Sequence, residues 1–247
     1  MQALATTSEL YRFHEQDGEK VAILRGVTLE IAVREFVCVM GPSGSGKSTL
    51  LHLISGLDQP SAGHVELAGR DLALCSEEER TLARRRSLAH VFQFFNLLPN
   101  LTVLENVGLP LSIAGLRPER EEERLRVLLT KLGLGARVNA FPHQLSGGEM
   151  QRASIARALA ANQPLILADE PTGNLSQKAG LEVMEILRRC VDEDGRSVLL
   201  VTHNPRDATF ADRVLFLVDG ALAKKPVLRG PGIKVDDVHA ALSELAI

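Results

Sequence analysis

Gly41-Pro42-Ser43-Gly44-Ser45-Gly46-Lys47-Ser48-Thr49 is the stretch that decides the fold of this chain. It follows an apolar run, Glu35–Met40, and opens a helical stretch, Leu50–Leu57. That strand–loop–helix setting is what the pattern GxxxxGK[ST] needs before it reads as a phosphate loop. The glycines let backbone N–H groups turn inward around phosphate oxygens without Cβ clashes. The helix N-terminus adds its partial positive charge, Lys47 is placed to neutralise β- and γ-phosphates, and Ser48 to ligate Mg²⁺. At average residue frequencies such a match arises by chance in roughly one chain per hundred of this length. A glycine-rich structural turn is the plainer alternative, and the strand before and helix after disfavour it.

Outward from the loop, Ser87–Phe92, Pro164–Ala168 and Ser197–Thr202 are, like Glu35–Met40, continuously apolar rather than alternating. This is the pattern of strands covered on both faces. Helical stretches separate them, so a mostly parallel α/β sheet is expected. Residues 9–32 and 63–69 read instead as short strands with turns at Asp17-Gly18 and Ala68-Gly69, an antiparallel addition. Between about 95 and 161 strand signals vanish. There Glu119–Leu132 is a charged amphipathic helix with Leu125, Leu128, Leu129 and Leu132 on one face, and Glu149–Ala161 is alanine-rich and helical. The chain therefore divides into 1–94, the β addition with the first part of the core; 95–161, an inserted helical subdomain; 162–220, the second part of the core; and 221–247, a tail. That tail holds a Gly/Pro stretch from Arg229 and a short amphipathic helix, Asp236–Leu245.

The net charge of −3 over 247 residues argues against wrapping nucleic acid. Arg84-Arg85-Arg86, with Glu77, Glu78 and Glu79 upstream, reads as a solvated helical face. Cys38, Cys75 and Cys190 are odd in number, far apart and without metal-ligand spacing, and Cys38 reads as a small core residue. Unpaired cysteines and the lack of an N-terminal apolar leader run point to a reducing, cytoplasmic setting. No stretch approaches the ~18 apolar residues needed to span a bilayer, so any work at a membrane passes through a partner.

Leu165-Ile-Leu-Ala-Asp169-Glu170 is an apolar strand ending in adjacent carboxylates. Successive strand side chains face opposite ways, so the two acids are expected to serve different tasks. Asp169 suits the Mg²⁺ shell; Glu170 suits a base that polarises the water attacking a γ-phosphate. Gln93 follows Phe92 and His203 follows Thr202. Lys47, Gln93, Asp169 and His203 thus all sit at C-terminal ends of expected parallel strands, where open α/β sheets place ligands. Gln93 is suited to sense the metal or the attacking water, His203 to hydrogen-bond the γ-phosphate. Leu145-Ser146-Gly147-Gly148-Glu149 before a helix repeats the physics of the phosphate loop. It is either a helix start capped by Ser146 or a second phosphate clamp used elsewhere.

Taken together, the Gly41–Thr49 loop, Gln93, Leu145-Ser-Gly-Gly-Glu-Met-Gln-Arg152, Leu165–Pro171 and His203 resemble an ATP-binding-cassette (ABC) ATPase over about residues 8 to 225. The resemblance implies a P-loop NTPase (RecA-like) core with ATP and Mg²⁺ as cofactors. Ser48, Gln93 and Asp169 would serve the metal, and Glu170, His203, Gln93 and Lys47 catalysis. Ser146, Gly147, Gly148 and Glu149 would act in trans, closing over ATP held by a second subunit. Phe92-Gln-Phe-Phe-Asn-Leu-Leu-Pro99, Leu101–Val107, Leu51–Asp58 and Asp169–Leu175 are similar to the lipoprotein-releasing, macrolide-efflux and cell-division ATPases. Those proteins imply a homodimer, or a paired cassette, working an integral membrane permease from the cytoplasmic face of the inner membrane. Exposed Phe94, Phe95 and Leu97 would help receive that partner's coupling helix.

Two departures stand out. Ser176 replaces the Asp usual after Asn174-Leu175, which bears on turnover and on symmetry between the two ATP sites. The usual adenine-stacking tyrosine falls on His14, with Phe13 and Tyr11 as substitutes. A cassette serving DNA or the ribosome should carry coiled coils or a second cassette. A P-loop kinase or GTPase should carry a lid or a guanine-reading loop. An impaired or regulatory cassette is the alternative that Ser176 keeps open.

Overall fold

A computed structural model of the chain describes residues 3–16, 19–230 and 232–246. The N-terminal addition is a long ribbon, β1 (Ala3–Gln16) antiparallel to β2 (Glu19–Ala32). It begins earlier than the expected residue 9, because register shifts between Thr7 and Leu10 and again near Arg12 break the alternation that marks a strand. The expected turn at Asp17-Gly18 lies outside the described residues. From β2 the chain enters β3 (Phe36–Met40), passes the glycine-rich loop, and forms α1 (Lys47–Ile54). A hairpin of β4 (Ala62–Leu67) and β5 (Arg70–Asp71) then completes a four-stranded sheet, order β2-β1-β4-β5. Its turn is at Ala68-Gly69, as expected, with both residues at positive φ.

Next come α2 (Glu77–Ser87) and β6 (Leu88–Val91), then the helices α3 (Val103–Ile113), α4 (Glu122–Lys131) and α5 (Gly147–Leu159). The chain returns to the sheet through β7 (Leu165–Asp169), α6 (Gln177–Asp192), β8 (Ser197–Thr202) and the single turn α7 (Pro205–Ala208). It ends with β9 (Arg213–Val218), β10 (Ala221–Leu222), β11 (Leu228–Arg229) and α8 (Val235–Glu244). Strands β9, β3, β8, β7 and β6 lie side by side in that order and all run parallel. Four such strands are expected from the apolar runs; β9 is a fifth. Strands β10 and β11 pair back on it antiparallel, and Val238 and Ala241 of α8 are buried, so the tail is packed onto the core.

The β3 residues alternate between two cores, which explains their unbroken hydrophobicity. Phe36, Cys38 and Met40 join a cluster with Val103, Leu129, Ile155 and Leu187 of the helices; Val37 and Val39 join the other, with α1 and the antiparallel sheet. On α4, Leu125 and Leu129 are buried, the face expected from their spacing. The register then sets the site: Met40 lies opposite Thr202, and Asp169 opposite Val201. The residues just beyond β3, β7 and β8 consequently meet at one edge of the sheet.

Candidate active site

At that edge the phosphate loop turns through glycines at φ 83° (Gly44) and 101° (Gly46). A Cβ on Gly46 would sit 2.7 Å from Leu24 Cδ2, so the loop needs glycine both for its angle and for its fit against the ribbon. Helix α1 has no side-chain cap and no acid in its first turn, whereas α2, α3 and α5 all carry capping boxes. Its leading N–H groups are therefore left for an external anion. Ser45 Oγ is buried in the loop with no hydrogen-bond partner. Lys47 donates to Gly41 O at 2.8 Å and Pro42 O at 3.0 Å, holding its ammonium across the loop. Burial lowers the Lys47 pKa, and Glu170 and Asp169 oppose that shift. These features fit a nucleotide phosphate chain.

Around the loop the structure gathers most of the expected residues. Ser48 Oγ donates to Asp169 Oδ1 at 3.1 Å, and Lys47 Nζ is 3.9 Å from Glu170 Oε1. His203 Nδ1 is 2.8 Å from the same Glu170 oxygen, and Thr202 Oγ1 is 3.3 Å from Glu170 Oε2. The two acids do have different partners, but not through strand alternation: β7 stops at Asp169, and Glu170 leaves the strand at φ 45°. A non-glycine residue held there costs on the order of 1–3 kcal/mol, a strain typical of functional turns. Gln93 Nε2 packs against Gly173, in the turn that follows Glu170.

Asp169 is pushed up from its ordinary pKa, by burial first and by Glu170 next, with Ser48 pulling the other way. A buried carboxylate whose charge is disfavoured is a natural partner for a divalent cation. Among the described residues no cluster of three or more His, Cys, Asp or Glu is arranged to hold a metal alone. Ser48 and Asp169 would hold Mg²⁺ together with the phosphates, as Mg²⁺ sites commonly do. Because the folded pKa is raised, the ionised acid weakens the fold at neutral pH, and that loss disappears as pH falls through the folded pKa. Asp169→Asn, which keeps the oxygen for Ser48, is expected to raise the nucleotide-free melting temperature at pH 7 while removing Mg²⁺-dependent turnover. The stability gain should shrink as the pH is lowered, and calorimetry across pH checks the sign.

Ser146 to Glu149 lie elsewhere. Ser146 caps α5 in a capping box: its hydroxyl accepts from Glu149 N at 3.3 Å, and Glu149 Oε2 accepts from Ser146 N at 2.8 Å. That backbone bond, together with Arg137, holds the Glu149 carboxyl down at about 2. Ser146, Gly147 and Gly148 border a groove with Asn174, Leu175, Ser176 and Lys178, and no residue of the Gly41–Thr49 loop lines it. His14 is exposed on β1 opposite Val21. Tyr11 turns instead toward Gly26, with Phe13 stacked on it.

Residues 24–173 match the family model described as ABC transporter. The chain belongs to the ABC transporter family. The lipoprotein-releasing system ATP-binding protein LolD 2 of Caulobacter vibrioides is 46% identical over 213 residues, 86% of this chain and 93% of that protein. The macrolide export ATP-binding/permease protein MacB of Syntrophobacter fumaroxidans is 43% identical over 214 residues, 86% of this chain but 30% of that protein. The chain therefore spans about a third of the length of the macrolide exporters it matches. A dimeric post-hydrolysis state of the ATP-binding cassette MJ0796, bound to ADP and Pi, superposes with a TM-score of 0.84 at 40% identity. It covers 92% of this chain and 99% of that one. The chain is accordingly an ATP-binding cassette of the ABC ATPase family.

One buried residue that braces this site, Gln151, is not singled out by sequence. Gln151, fully buried, donates to Phe92 O at 3.2 Å and Pro171 O at 2.8 Å, bracing the Gln93 strand end against the turn after Glu170. Its place inside the quoted Leu145–Arg152 run is the only signal that marked it. Ser176, the departure from the family pattern, caps α6 by accepting from Ala179 N at 3.4 Å. Serine and aspartate are comparable caps, so the helix start survives and what is lost is the charge. Of the residues expected to be exposed beyond Gln93, Phe94 is 68% exposed. Phe95 and Leu97 are half-buried instead, and Leu97 packs against the main core.

Proposed function

We propose that this cassette works as one of a pair, with two Mg²⁺-ATP held between the copies, and drives a separate membrane permease. The observation that carries the reading is the separation of two glycine-rich helix starts within one chain. The phosphate loop and the Ser146–Gly148 turn border different surfaces, so the second is free to cover the nucleotide of another copy. In a dimer Ser146, with its hydroxyl proton unused by Glu149, and the amides of Gly147 and Gly148 would close on the partner-held γ-phosphate. Lys47 and the α1 amides hold the phosphates, Ser48 and Asp169 the metal, His14 the adenine. Glu170 takes the proton of the attacking water, while Gln93 and His203 orient that water and the γ-phosphate. The dimeric cassette structure bound to ADP and Pi supports the pairing.

For the permease we assign the groove of about 460 Å³ between β6 and α3, bordered by Phe92, Leu109, Pro110, Ile113 and Ala114 with Arg84 and Arg157 at its sides. Ile113 is 54% exposed. An apolar floor with flanking cations suits a short amphipathic segment of a membrane protein. No described helix is long and apolar enough to cross a membrane, so attachment would be peripheral, at the cytoplasmic face of the inner membrane. The work done is transport or mechanical transmission across that membrane, with no role for nucleic acid. The chain should sediment with native membranes, and Ile113→Asp should release it while ATP binding is retained. Equal sedimentation of both forms would sink the docking assignment. An impaired or regulatory cassette would instead show little ATPase activity even with its membrane partner.

A further inference from the structure

The chemistry above leaves one buried carboxylate without a task. Asp207 sits in α7, just after His203, and is 4% exposed. Its Oδ1 accepts from Asn204 Nδ2 at 3.1 Å. Its Oδ2 accepts from Thr172 Oγ1 and lies 3.4 Å from Thr202 Oγ1. Thr202 is itself completely buried, accepts Asn204 N–H at 3.0 Å, and lies 3.3 Å from Glu170 Oε2. The single Thr202 proton thus has two carboxylates within reach. Asp207 already has donors in Thr172 and Asn204, which leaves the Thr202 proton for Glu170.

The covalent order of these groups matters. Thr172 lies two residues beyond Glu170, and Thr202 immediately precedes His203. Asp207 is bonded to the first and within reach of the second. It therefore ties the turn that carries Glu170 to the turn that carries His203. Glu170 is the non-glycine residue held at φ 45°, a conformation that persists only where neighbours over-determine it. Its backbone is fixed by Glu170 N to Val201 O at 3.0 Å and Gly173 N to Glu170 O at 3.1 Å. Its carboxylate is aimed by the other turn: His203 Nδ1 lies 2.8 Å from Oε1, while His203 N–H, at 3.4 Å, and Thr202 Oγ1, at 3.3 Å, reach Oε2.

We propose that Asp207 is a positioning residue for hydrolysis: by binding Thr172 and Asn204 it locks the Glu170 and His203 turns together and directs the Thr202 hydroxyl to Glu170. The proposal rests on the reading of Glu170 as the base. Burial raises the Asp207 carboxyl and its threonine partners pull it back down, so its charged form depends on the same bonds.

Asp207→Leu tests it. The substitution removes both acceptor oxygens; leucine is bulkier and leaves the Thr172 and Asn204 donors unpaired, so some stability is lost in either case. A merely structural Asp207 would register in the melting temperature alone. A positioning Asp207 registers in kcat, expected to fall about tenfold or more, with KM for ATP within about twofold because the phosphate loop is untouched. In the Glu170→Gln background the same change should add nothing to the residual single-turnover rate, since both act through one group. A folded Asp207→Leu chain with kcat within about twofold of wild type, or an equal loss in both backgrounds, would overturn the proposal. Should Asp207→Leu fail to fold, Thr172→Val and Thr202→Val each remove one hydroxyl of the network and carry the same expectation. Full turnover in Glu170→Gln alone would instead sink the assignment of the base, whatever Asp207 does.

Discussion

Glu170→Gln is expected to lower ATP turnover by about 10²–10⁴-fold, the usual worth of a general base, without weakening ATP binding. Glutamine matches glutamate in size, and its amide keeps an oxygen for Thr202 Oγ1 or for His203 Nδ1, at 3.3 and 2.8 Å in the native site. What it cannot do is accept the proton of the attacking water. The phosphate loop and its Lys47 ammonium, held by Gly41 O and Pro42 O, are unaltered. Removing a negative charge 3.9 Å from Lys47 also lessens repulsion toward the γ-phosphate. ATP should therefore bind and stay, and two copies should remain closed around it. Size exclusion with saturating Mg²⁺-ATP should give a dimer and steady-state assays almost no phosphate. A chain that stays monomeric under those conditions would count heavily against the pairing.

The chemistry at this edge of the sheet is legible in sequence because it sits where the chain changes state. Asp169 ends one largely apolar strand, His203 directly follows another, and Lys47 follows a third across the glycine-rich loop; such strands announce their ends. Strand β9 has the same run, Val214–Val218, yet no reactive residue follows it, only Asp219-Gly220 and the hairpin to β10. It hides at the sheet margin for that reason. The ribbon is obscured differently: its shifts of register between Thr7 and Leu10 put successive core residues out of step with a two-residue period. Asp207 lies beyond sequence altogether. An acid in the first turn of a helix that opens with Pro205 reads as a solvated residue favouring the helix dipole. Its burial comes from Thr172 and Thr202, 35 and 5 residues away, and only the tertiary fold brings all three together.

A change at Ser146 is expected to abolish turnover while sparing ATP affinity, because under the proposed pairing its hydroxyl serves a nucleotide held by the other copy. Ser146→Arg fills the groove beside Gly147, Gly148 and Ser176 and leaves the Gly41–Thr49 loop untouched. Some stability is lost with the cap, about 1 kcal/mol. A transition-state donor at the γ-phosphate carries more, about 10²–10³ in rate. A fluorescent ATP analogue should bind the variant as tightly as wild type under conditions that keep the chain monomeric. If affinity collapses as well, Ser146 belongs to its own chain's site and the pairing geometry is wrong. Mixing gives the sharper contrast. A Lys47→Ala chain and a Ser146→Arg chain should each be inactive alone, the first lacking the proposed phosphate ligand and the second the proposed clamp. In a two-fold pair assembled from both, one site combines the two lesions and the other has neither. Turnover should return on mixing if Ser146 acts across the interface. With Ser146 acting in its own chain, every site in every pairing contains a lesion, and mixing restores nothing.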